Sequence, residues 1–376
     1  MKLLITAGGG GHFAPVLCVI SSLPKNIDVL LVGRKYGLEG DKALSFEYQI
    51  AKKMGIPFVG ITAGKLQRKF TRYTLPSLLK SPKGLMEAYA VVRSFKPDVV
   101  LSFGGYISVP VVFAAYILRI PVVIHEQTLE AGMANKIASY FAKKVCVSWK
   151  NSERFFPQNK IVLTGNPVKR FKIYDSRFKI KKERLALIYI TGGSLGAHAI
   201  NILVEGCLEK LLDKAIVYHQ TGDAQQYKDY DRLFQIRNNL PQNVKKRYIL
   251  TKFVDPLDVG AIMTQADLVI SRAGINTVTE LLYFKKPTLF IPLTYSQHNE
   301  QRKNAQFMKD LGLAEIVKQE GLIADAFLTH ILDMLIHIKQ YVLNIEKGKD
   351  LLIENADERI IRVLENVVRE NKHASS

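Results

Sequence analysis

The sequence predicts an α/β protein with two doubly wound domains side by side. Its apolar runs are short, rich in Val, Ile and Leu, and without strict alternation, which is typical of parallel strands covered on both faces. Many of these runs end in glycine, the residue that tight strand-to-helix turns use. A strand, a glycine-rich turn and a helix open the chain at "LLITAGGGGH", and the same unit recurs at "ALIYITGGSLGAH" near residue 186.

Predicted strands and helical patterns alternate along the whole chain. The most apolar stretch, residues 109–124, is interrupted by Arg119 and by prolines and is too short to span a membrane, so it predicts a helix followed by a buried strand. The segments predicted as strands are, in chain order, KLLITA, DVLLVG, DVVLSFGG, PVVIHE, KVCVSW, IVLTG, LALIYITGG, IVYHQTG, YILTKF, DLVISRAG and PTLFIPL.

A polar and basic segment, residues 164–184, separates the two units. Pro167 ends any regular element there, so we place the domain boundary near residue 166. The predicted domains are residues 1–165 and 166–345, and residues 346–376 form an amphipathic helical tail with a polar end.

Composition limits the classes of protein that fit. With 376 residues, 48% hydrophobic and 23% charged, the chain is a folded globular protein too long for one ordinary core. Cys18, Cys146 and Cys207 are far apart and form no CxxC pair, so we expect reduced core residues of a cytoplasmic protein. The "LLI" of residues 3–5 is too short for a secretory signal. A net charge of +19 implies an anionic partner: nucleic acid, a membrane surface or a phosphorylated substrate.

Both glycine-rich turns have the composition of phosphate-binding sites, because outward-facing backbone N–H groups and the helix dipole favour negative charge. The first runs through Gly8–Gly11 to His12, and the second adds the hydroxyl of Ser194. The alternative is that both are only tight turns.

A dinucleotide site is a further interpretation of the first turn. Gly9, Gly11 and Ala14 fit the pattern G-x-G-x-x-A. The acid expected after the second strand is missing, because that strand ends in Gly33 and Arg34, and Arg34 suits a 2′-phosphate instead. An NADP-dependent oxidoreductase therefore stays open.

Polar residues follow several predicted strands, where a doubly wound sheet forms its binding crevice. Glu280, in the first turns of a helix after SRAG, can accept both hydroxyls of a ribose; the alternative is a glutamate that only complements the helix dipole. Residues 295–305, YSQHNEQRKNA, concentrate amide groups that suit sugar hydroxyls or cap a solvated helix. Two further strands end in the polar segments HEQ, residues 125–127, and SFGGY, residues 102–106.

No metal site is predicted. The sequence DYD at residues 229–231 is similar to the metal-binding pair of another class of sugar transferases, but its charged surroundings indicate a solvated helix face. No cluster of His and Cys has zinc spacing.

Residues 65–96 carry eight Lys or Arg against one Glu, with apolar side chains interleaved. This pattern predicts contact with an anionic membrane surface, since nucleic acid has less use for the leucines. A core-facing amphipathic helix is the alternative for part of the segment.

Taken in order, the motifs resemble those of the MurG family, the N-acetylglucosaminyltransferases of glycosyltransferase family 28 that complete the lipid-linked peptidoglycan precursor. The motifs are AGGGGHFAP, KPDVVLSFGGYISVP, IPVVIHEQ, LTGNPVK, TGGSLGAHAIN, ADLVISRAGINTVTE and EQRKNA. The first loop is one residue shorter than the family pattern and lacks its Thr. Further departures are Thr128 for Asn, Leu195 for Gln, Lys169 for Arg and Glu300 for Gln or His.

The resemblance implies a GT-B fold, with two Rossmann-like domains facing across a cleft and a last helix returning to the first domain. The first domain would bind the acceptor and the membrane, and the second would bind UDP-N-acetylglucosamine. Glu280 would hold the ribose, Phe253 and Val254 the uracil, Ser194 the diphosphate, and Gln301 and Asn304 the sugar hydroxyls. The other donor-side residues would be Lys169, Asn201, Arg272, Gly274 and Thr277, and the acceptor-side residues Gly8, Gly9, Gly10, Gly11, Tyr106 and Thr128.

The implied reaction is an inverting transfer of N-acetylglucosamine to a polyprenyl-diphosphate-linked sugar, at the cytoplasmic face of the membrane and without nucleic acid. We expect His12 to be the catalytic base, because a helix N-terminus disfavours the charged imidazole, and Glu126 is the second candidate. Oriented N–H groups from Gly192 to Ser194 can stabilise the departing diphosphate, so neither a metal nor a cofactor is required.

Three other functions stay open on the sequence alone. A UDP-sugar 2-epimerase has the same fold but acts on soluble sugar nucleotides, which leaves the basic, leucine-bearing segment without a purpose. An NADP-dependent oxidoreductase would use the first turn and Arg34. A nucleic-acid-binding protein depends on the net charge alone.

Overall fold

Two parallel sheets, one in each of two units, organise the computed structural model. The first unit covers Met1–Val168 and Ile353–Ser376, and the second covers Lys169–Leu352; the sequence placed these divisions at 165/166 and 345/346. The structure describes residues 1–36, 44–62, 81–168, 185–193, 196–224, 226–255, 258–295, 299–344 and 352–375.

The first unit contains a seven-stranded parallel sheet in the order β3-β2-β1-β4-β5-β6-β7. Its strands are β1 Lys2–Thr6, β2 Asp28–Gly33, β3 Phe58–Gly60, β4 Val99–Ser102, β5 Val122–Glu126, β6 Lys144–Val147 and β7 Ile161–Leu163. Its helices are α1 Phe13–Ser22, α2 Phe46–Lys53, α3 Ser81–Phe95, α4 Ser108–Ile117, α5 Met133–Ser139 and, from the C-terminal segment, α14 Ala356–Ser375.

Apolar cores cover both faces of this sheet, as continuous strand hydrophobicity requires. The C-terminal helix α14 contributes to one of them through Ile360, Ile361, Leu364 and Val367, which pack with α1 and the strands. Ser22 of α1 also donates a hydrogen bond to Asp357 of α14. The strand order reverses between β1 and β4, so the crevice of this doubly wound sheet lies at the carboxyl ends of those two strands.

The second unit contains a six-stranded parallel sheet in the order β10-β9-β8-β11-β12-β13. Its strands are β8 Ala186–Thr191, β9 Ala215–Gln220, β10 Tyr248–Thr251, β11 Leu268–Ser271, β12 Thr288–Phe290 and β13 Ala314–Ile316. Its helices are α6 His198–Leu212, α7 Asp229–Asn239, α8 Gln242–Lys245, α9 Val259–Gln265, α10 Ile275–Tyr283, α11 Glu300–Asp310, α12 Ala324–Ile336 and α13 Ile338–Asn344. Here the strand order reverses between β8 and β11.

These two sheets confirm the predicted fold class, and each predicted strand is present. The sequence missed β3 and β13, which are three-residue strands at the edges of their sheets. None of the helices within the described residues is long and apolar enough to cross a membrane.

Candidate functional site

The first glycine turn packs directly against the turn that follows β4. Gly8 donates its N–H to the carbonyl of Gly104 at 2.9 Å, and a Cβ on Gly8 would lie 2.7 Å from Cα of Gly105. Gly104 and Gly105 both have φ of +84°, which favours glycine. Close backbone packing therefore explains why these three positions are glycines.

Packing does not explain the rest of the turn. Gly9 has φ of +98° and reverses the chain, and Gly10–His12 form a 3₁₀ turn that leads into α1. Gly11 is exposed, and a Cβ there would have nothing within 4 Å. The absence of a side chain at Gly11 leaves room for a ligand to approach the turn, as the phosphate-binding interpretation requires.

His12 is held by the side-chain amide of Gln127. Nε2 of Gln127 donates to the carbonyl of Gly11 at 3.0 Å and lies 3.1 Å from Nδ1 of His12. Burial lowers the pKa of His12 below its ordinary value of 6.5, against the opposite effects of the Glu126 and Glu47 carboxylates. The imidazole is therefore neutral at pH 7, and its Nδ1 lone pair faces a donor.

Glu126, the second candidate base, is buried and surrounded by hydrogen-bond donors. Its Oε1 accepts from the N–H of Thr128 at 3.0 Å and from the Thr128 hydroxyl at 2.6 Å. Its Oε2 accepts from the N–H of Gly132 and from Nδ2 of Asn135, both at 3.0 Å. A carboxylate with four such partners fixes the loop after β5, and this geometry favours a positioning role for Glu126 over proton abstraction.

The same contacts account for Thr128, which sequence reasoning assigned to the acceptor. Both of its polar groups bind Glu126, so the residue shapes the loop while staying partly exposed. Tyr106, the other acceptor-side prediction, follows Gly105 and is half-buried against the core of the first unit.

The second glycine turn repeats the division between packed and open glycines. A Cβ on Gly196 would lie 1.9 Å from the carbonyl oxygen of Thr221, and one on Gly192 would lie 2.2 Å from the backbone nitrogen of Ala197. Gly193 has φ of +83° and nothing within 4 Å of a Cβ. Ser194 and Lys169, predicted to contact the donor, lie outside the described residues.

Asn201 does not face a ligand in this structure. It is 1% exposed, and its Nδ2 donates to the carbonyl of Thr221 at 3.0 Å and to Asp229 at 2.8 Å. Its Oδ1 lies 3.0 Å from Nε2 of His219. Gly196 of the second glycine turn packs on Thr221, whose carbonyl Asn201 binds, so Asn201 supports this turn. These contacts indicate a positioning role for Asn201 in place of the predicted contact with the donor.

Asp229 corrects the interpretation of DYD as a solvated helix face. Asp229 is buried at the start of α7 and contacts His198, Asn201 and Arg232. Burial raises its pKa, but the hydrogen bonds from Asn201, Arg232 and His198 outweigh it and hold the pKa of Asp229 below its ordinary value. Within the described residues, no group of three or more His, Cys, Asp or Glu could hold a metal ion.

Glu280 lies with Gly274 and Thr277 on α10. Gly274 is the N-cap residue, and Oγ1 of Thr277 would lie 3.9 Å from a Cβ on it. Thr277 and Glu280 are three residues apart and thus share a helix face. Glu280 is half-buried, and burial raises its pKa from 4.5 to about 7. The face therefore offers a hydroxyl and a carboxyl group of unusually high pKa to a ligand.

Other predicted donor residues hold the surrounding backbone. Arg272 donates from Nη1 to the carbonyl of Ile291 and from Nη2 to Oε1 of Gln319, both at 2.7 Å, and burial lowers its pKa. Oε1 of Gln301 accepts from the N–H of Leu293 at 2.9 Å. These contacts fix the segment that follows β12, so the residues shape the donor side of the sheet edge.

Asn304 is completely buried, which conflicts with a direct contact to a sugar hydroxyl. Its Nδ2 donates to the carbonyl of Ala273 at 3.0 Å, next to the start of α10. Phe253 and Val254 follow β10; Phe253 is 42% exposed and Val254 is buried. Of these two side chains, the ring of Phe253 offers a surface to a nucleobase, whereas Val254 is buried.

The basic segment is described only in part, because residues 63–80 lie outside the described residues. The part that forms α3 packs on the apolar core of the first unit through Ala88 and Val92. The alternative prediction of a core-facing amphipathic helix is therefore confirmed for this part. Met86 on its other face is 72% exposed.

Sequence reasoning missed the roles of Gln127, Asn135 and Glu47. The segment HEQ was singled out, but nothing in it indicates that Gln127 contacts His12. Glu47 is buried in the first turn of α2, and its Oε1 has no hydrogen bond to any described residue. A predicted strand order would have indicated the contact between Gln127 and His12, because the order places the ends of β1, β4 and β5 side by side.

Comparison with known proteins identifies the family of the chain. The family model of the glycosyltransferase family 28 N-terminal domain matches residues 3–147, and that of the C-terminal domain matches residues 187–360. A curated relative from Clostridium botulinum (strain Alaska E43 / Type E3) is 34% identical over 371 residues, 94% of this chain and 96% of the relative. It is named UDP-N-acetylglucosamine–N-acetylmuramyl-(pentapeptide) pyrophosphoryl-undecaprenol N-acetylglucosamine transferase.

Solved structures have the same fold. MurG from Acinetobacter baumannii is 26% identical, with a TM-score of 0.69 over 97% of this chain and 100% of that one. A UDP-GlcNAc 2-epimerase from Neisseria meningitidis has a TM-score of 0.65 over 97% of this chain and 100% of that one, but at 17% identity it shows the fold alone. The protein belongs to glycosyltransferase family 28 and is a glycosyltransferase of the MurG family.

Proposed function

We propose that this chain is an inverting transferase that moves N-acetylglucosamine from UDP-N-acetylglucosamine to a hydroxyl of a polyprenyl-diphosphate-linked sugar. The name of the relative from Clostridium botulinum contains both a UDP-linked sugar and a pyrophosphoryl-undecaprenol group. The observation that carries the proposal is the matched pair of glycine turns, since each unit combines packed glycines with an open one. Two backbone sites of this kind suit two substrates that each contain a diphosphate.

The second unit binds the donor in this proposal. Glu280 and Thr277 on α10 receive the ribose, and the exposed face of Phe253 receives the uracil. The N–H of Gly192, before α6, receives the diphosphate, while the N–H of Gly193 donates to Oγ1 of Thr191 at 3.0 Å and fixes the turn. Arg272, Gln301, Asn201 and Asn304 hold these segments in place through the contacts described above.

The departing UDP gains negative charge on its diphosphate as the glycosidic bond breaks. Oriented backbone N–H groups at a helix start stabilise such charge without reorganisation. The turn before α6 provides them, so the proposal contains no metal-dependent step.

The first unit binds the acceptor, and His12 is the proposed base. Its lowered pKa keeps the imidazole neutral, as a base that works near pH 7 requires. The acceptor hydroxyl loses its proton to Nδ1 of His12, which exchanges its contact with Gln127 for the hydroxyl, as the oxygen attacks the anomeric carbon and UDP departs. Glu126 is the weaker candidate because both of its carboxylate oxygens already accept hydrogen bonds from the loop that follows β5.

The proposal places the protein at the cytoplasmic face of the membrane as a peripheral protein. A net charge of +19 favours an anionic surface. On α4, Tyr116 and Ile117 are 55% and 50% exposed, next to an open cavity of about 840 Å³ that Arg119 and Lys143 also line. Sedimentation with anionic and with neutral vesicles tests this location, and equal binding to both would contradict it.

Incubation of the full chain with UDP-N-acetylglucosamine and a panel of prenyl-diphosphate sugars tests the reaction. We expect a product heavier by one N-acetylhexosamine, and we expect His12→Ala to lose most of the rate while it still binds UDP. Conversion of UDP-N-acetylglucosamine to its 2-epimer without an acceptor product would indicate an epimerase. Protection against thermal unfolding by NADPH but not by UDP would indicate an oxidoreductase.

A further inference from the structure

Arg34 lies beside the first glycine turn. It follows β2, the parallel neighbour of β1, with Thr6 paired to Val32, so the two strands end at the same edge of the sheet. A Cβ on Gly9 would be 3.6 Å from Nη2 of Arg34. The guanidinium is therefore within reach of whatever binds the N–H groups of the turn.

The backbone of Arg34 is fixed on both sides. The strand holds it at Gly33, and Ser45 holds it from the start of α2, where the Ser45 hydroxyl donates to the carbonyl of Arg34 at 2.6 Å. Ser45 also accepts from the N–H of Tyr48 as the N-cap of α2. Binding of a ligand therefore has to order only the side chain of Arg34 and not its backbone.

One edge of the Arg34 guanidinium has no hydrogen-bond acceptor among the described residues. Nε and Nη2 form the side-on edge, which binds a phosphate through two parallel hydrogen bonds. Nε of Arg34 is buried and has no hydrogen bond to any described residue. None of the ion pairs found in the described ranges includes Arg34. A buried N–H of a charged group is unfavourable without an acceptor, and a phosphate oxygen would supply one.

The first glycine turn also needs a positive charge. Its N–H groups carry only partial charges, and His12 is neutral because burial lowers its pKa. The nearby Glu126 carboxylate is negative and opposes an anion. A cation would strengthen the binding of a diphosphate at this turn, and Arg34 is placed to supply it.

We infer that Arg34 binds a phosphate of the acceptor's diphosphate through its Nε–Nη2 edge, while the N–H groups of Gly9 and Gly10 bind the adjacent oxygens. The inference rests on the proposed function and adds a residue that selects diphosphates over monophosphates. A monophosphate can satisfy the turn or the guanidinium edge, whereas a diphosphate spans both.

The test compares Arg34→Gln, which removes the charge, with Arg34→Lys, which keeps the charge but loses the two-bond edge. Lys35→Gln is the matched control, because it removes a neighbouring charge whose ammonium lies 5.8 and 5.7 Å from the rings of Tyr36 and Tyr48. Calorimetric titration of the full chain with farnesyl diphosphate, farnesyl monophosphate and UDP gives the affinities. The transfer assay gives the KM for donor and acceptor.

We expect Arg34→Gln to weaken farnesyl diphosphate binding by about tenfold to a hundredfold, with a parallel rise in acceptor KM. Arg34→Lys should show a smaller loss, and Lys35→Gln none. UDP affinity and the unfolding temperature should stay unchanged in all three, because the side chain of Arg34 makes no hydrogen bond to a residue in the described ranges.

Three results would overturn the inference. Equal binding of farnesyl diphosphate by the unsubstituted chain and Arg34→Gln removes Arg34 from the site and leaves the proposed function intact. Loss of NADPH binding alone in Arg34→Gln assigns the residue to a dinucleotide. Failure of the unsubstituted chain to bind farnesyl diphosphate or to use any prenyl-diphosphate acceptor refutes both the inference and the proposed function.

Discussion

Nε2 of Gln127 lies 3.1 Å from Nδ1 of His12, and the same nitrogen donates to the carbonyl of Gly11 at 3.0 Å. The contact to Gly11 fixes which end of the amide faces the imidazole, because only the nitrogen can donate to a carbonyl. Nδ1 of neutral His12 is thus an acceptor, and the ring proton lies on Nε2. Gln127 therefore fixes Nδ1 as the ring nitrogen that can receive a proton and occupies it until a substrate hydroxyl takes its place.

Gln127→Ala tests this control through the pH dependence of the reaction. The amide hydrogen bond stabilises neutral His12, so its removal should raise the pKa of His12. We expect the acidic limb of kcat/KM to move to higher pH by up to about one unit. Gln158→Ala, at an exposed glutamine that binds only nearby carbonyls, should leave the limb in place. An unmoved limb in Gln127→Ala would show that His12 is not the group that titrates.

Gly8→Ala and Gly11→Ala separate the packing and binding roles of the first turn. A Cβ at Gly8 meets the backbone of Gly105 at 2.7 Å, so we expect this variant to lose about 1–3 kcal/mol of stability. A Cβ at Gly11 meets nothing within 4 Å, so its unfolding temperature should not fall. If a diphosphate approaches this backbone, Gly11→Ala should nevertheless raise the acceptor KM. Unaltered acceptor KM in a stable Gly11→Ala protein would contradict the phosphate-binding interpretation.

Much of the fold could be predicted because buried parallel strands are recognisable one by one. Glycine after β1 and after β8 indicated where the turns lie, and the structure places both at points where strand order reverses. The edge strands β3 and β13 were missed because three residues give too short an apolar run.

The candidate site was less predictable, because residue type at a strand end does not show which partners a side chain already has. Glu126 and Asn201 have the chemistry of ligand-binding groups, yet neighbouring donors and acceptors occupy them. Thr128 and Gly132, two of the partners of Glu126, are close in sequence, but Asn135 lies 9 residues from Glu126, and Asp229 and His219 lie 28 and 18 residues from Asn201. Only the folded chain shows that such side chains support a turn.

Asn201→Ala distinguishes a supporting role from a ligand contact. The substitution leaves Asp229, His219 and the carbonyl of Thr221 each without one buried partner, so we expect a loss of about 2–4 kcal/mol in stability. Donor KM should rise as well, because Gly196 packs on Thr221. Thermal unfolding with and without UDP measures stability and UDP binding, and the transfer assay measures the donor KM, with the exposed Asn239→Ala as control. A variant of normal stability and weak UDP binding would restore the direct contact.

Glu280→Gln should make the protein more stable and a poorer binder of UDP. Burial raises the folded-state pKa of Glu280 to about 7, above its ordinary value of 4.5. A carboxyl group of this kind contributes stability below pH 4.5 and loses that contribution as pH rises to 7. The glutamine variant carries no charge to bury, so above pH 7 we expect it to be more stable than the unsubstituted chain by up to about 3 kcal/mol.

Binding should change in the opposite direction. If ionised Glu280 accepts the ribose hydroxyls, the UDP affinity of the unsubstituted chain should fall as pH drops through about 7. Glu280→Gln should bind UDP at least about tenfold more weakly than the unsubstituted chain at pH 8, and its affinity should depend little on pH. Denaturation and UDP titration across pH 5–9 measure the two trends on one pair of proteins. A glutamate that only complemented the helix dipole would leave UDP binding intact in the variant. Higher stability together with lost affinity would show that the chain keeps a buried charge at this position for its ligand.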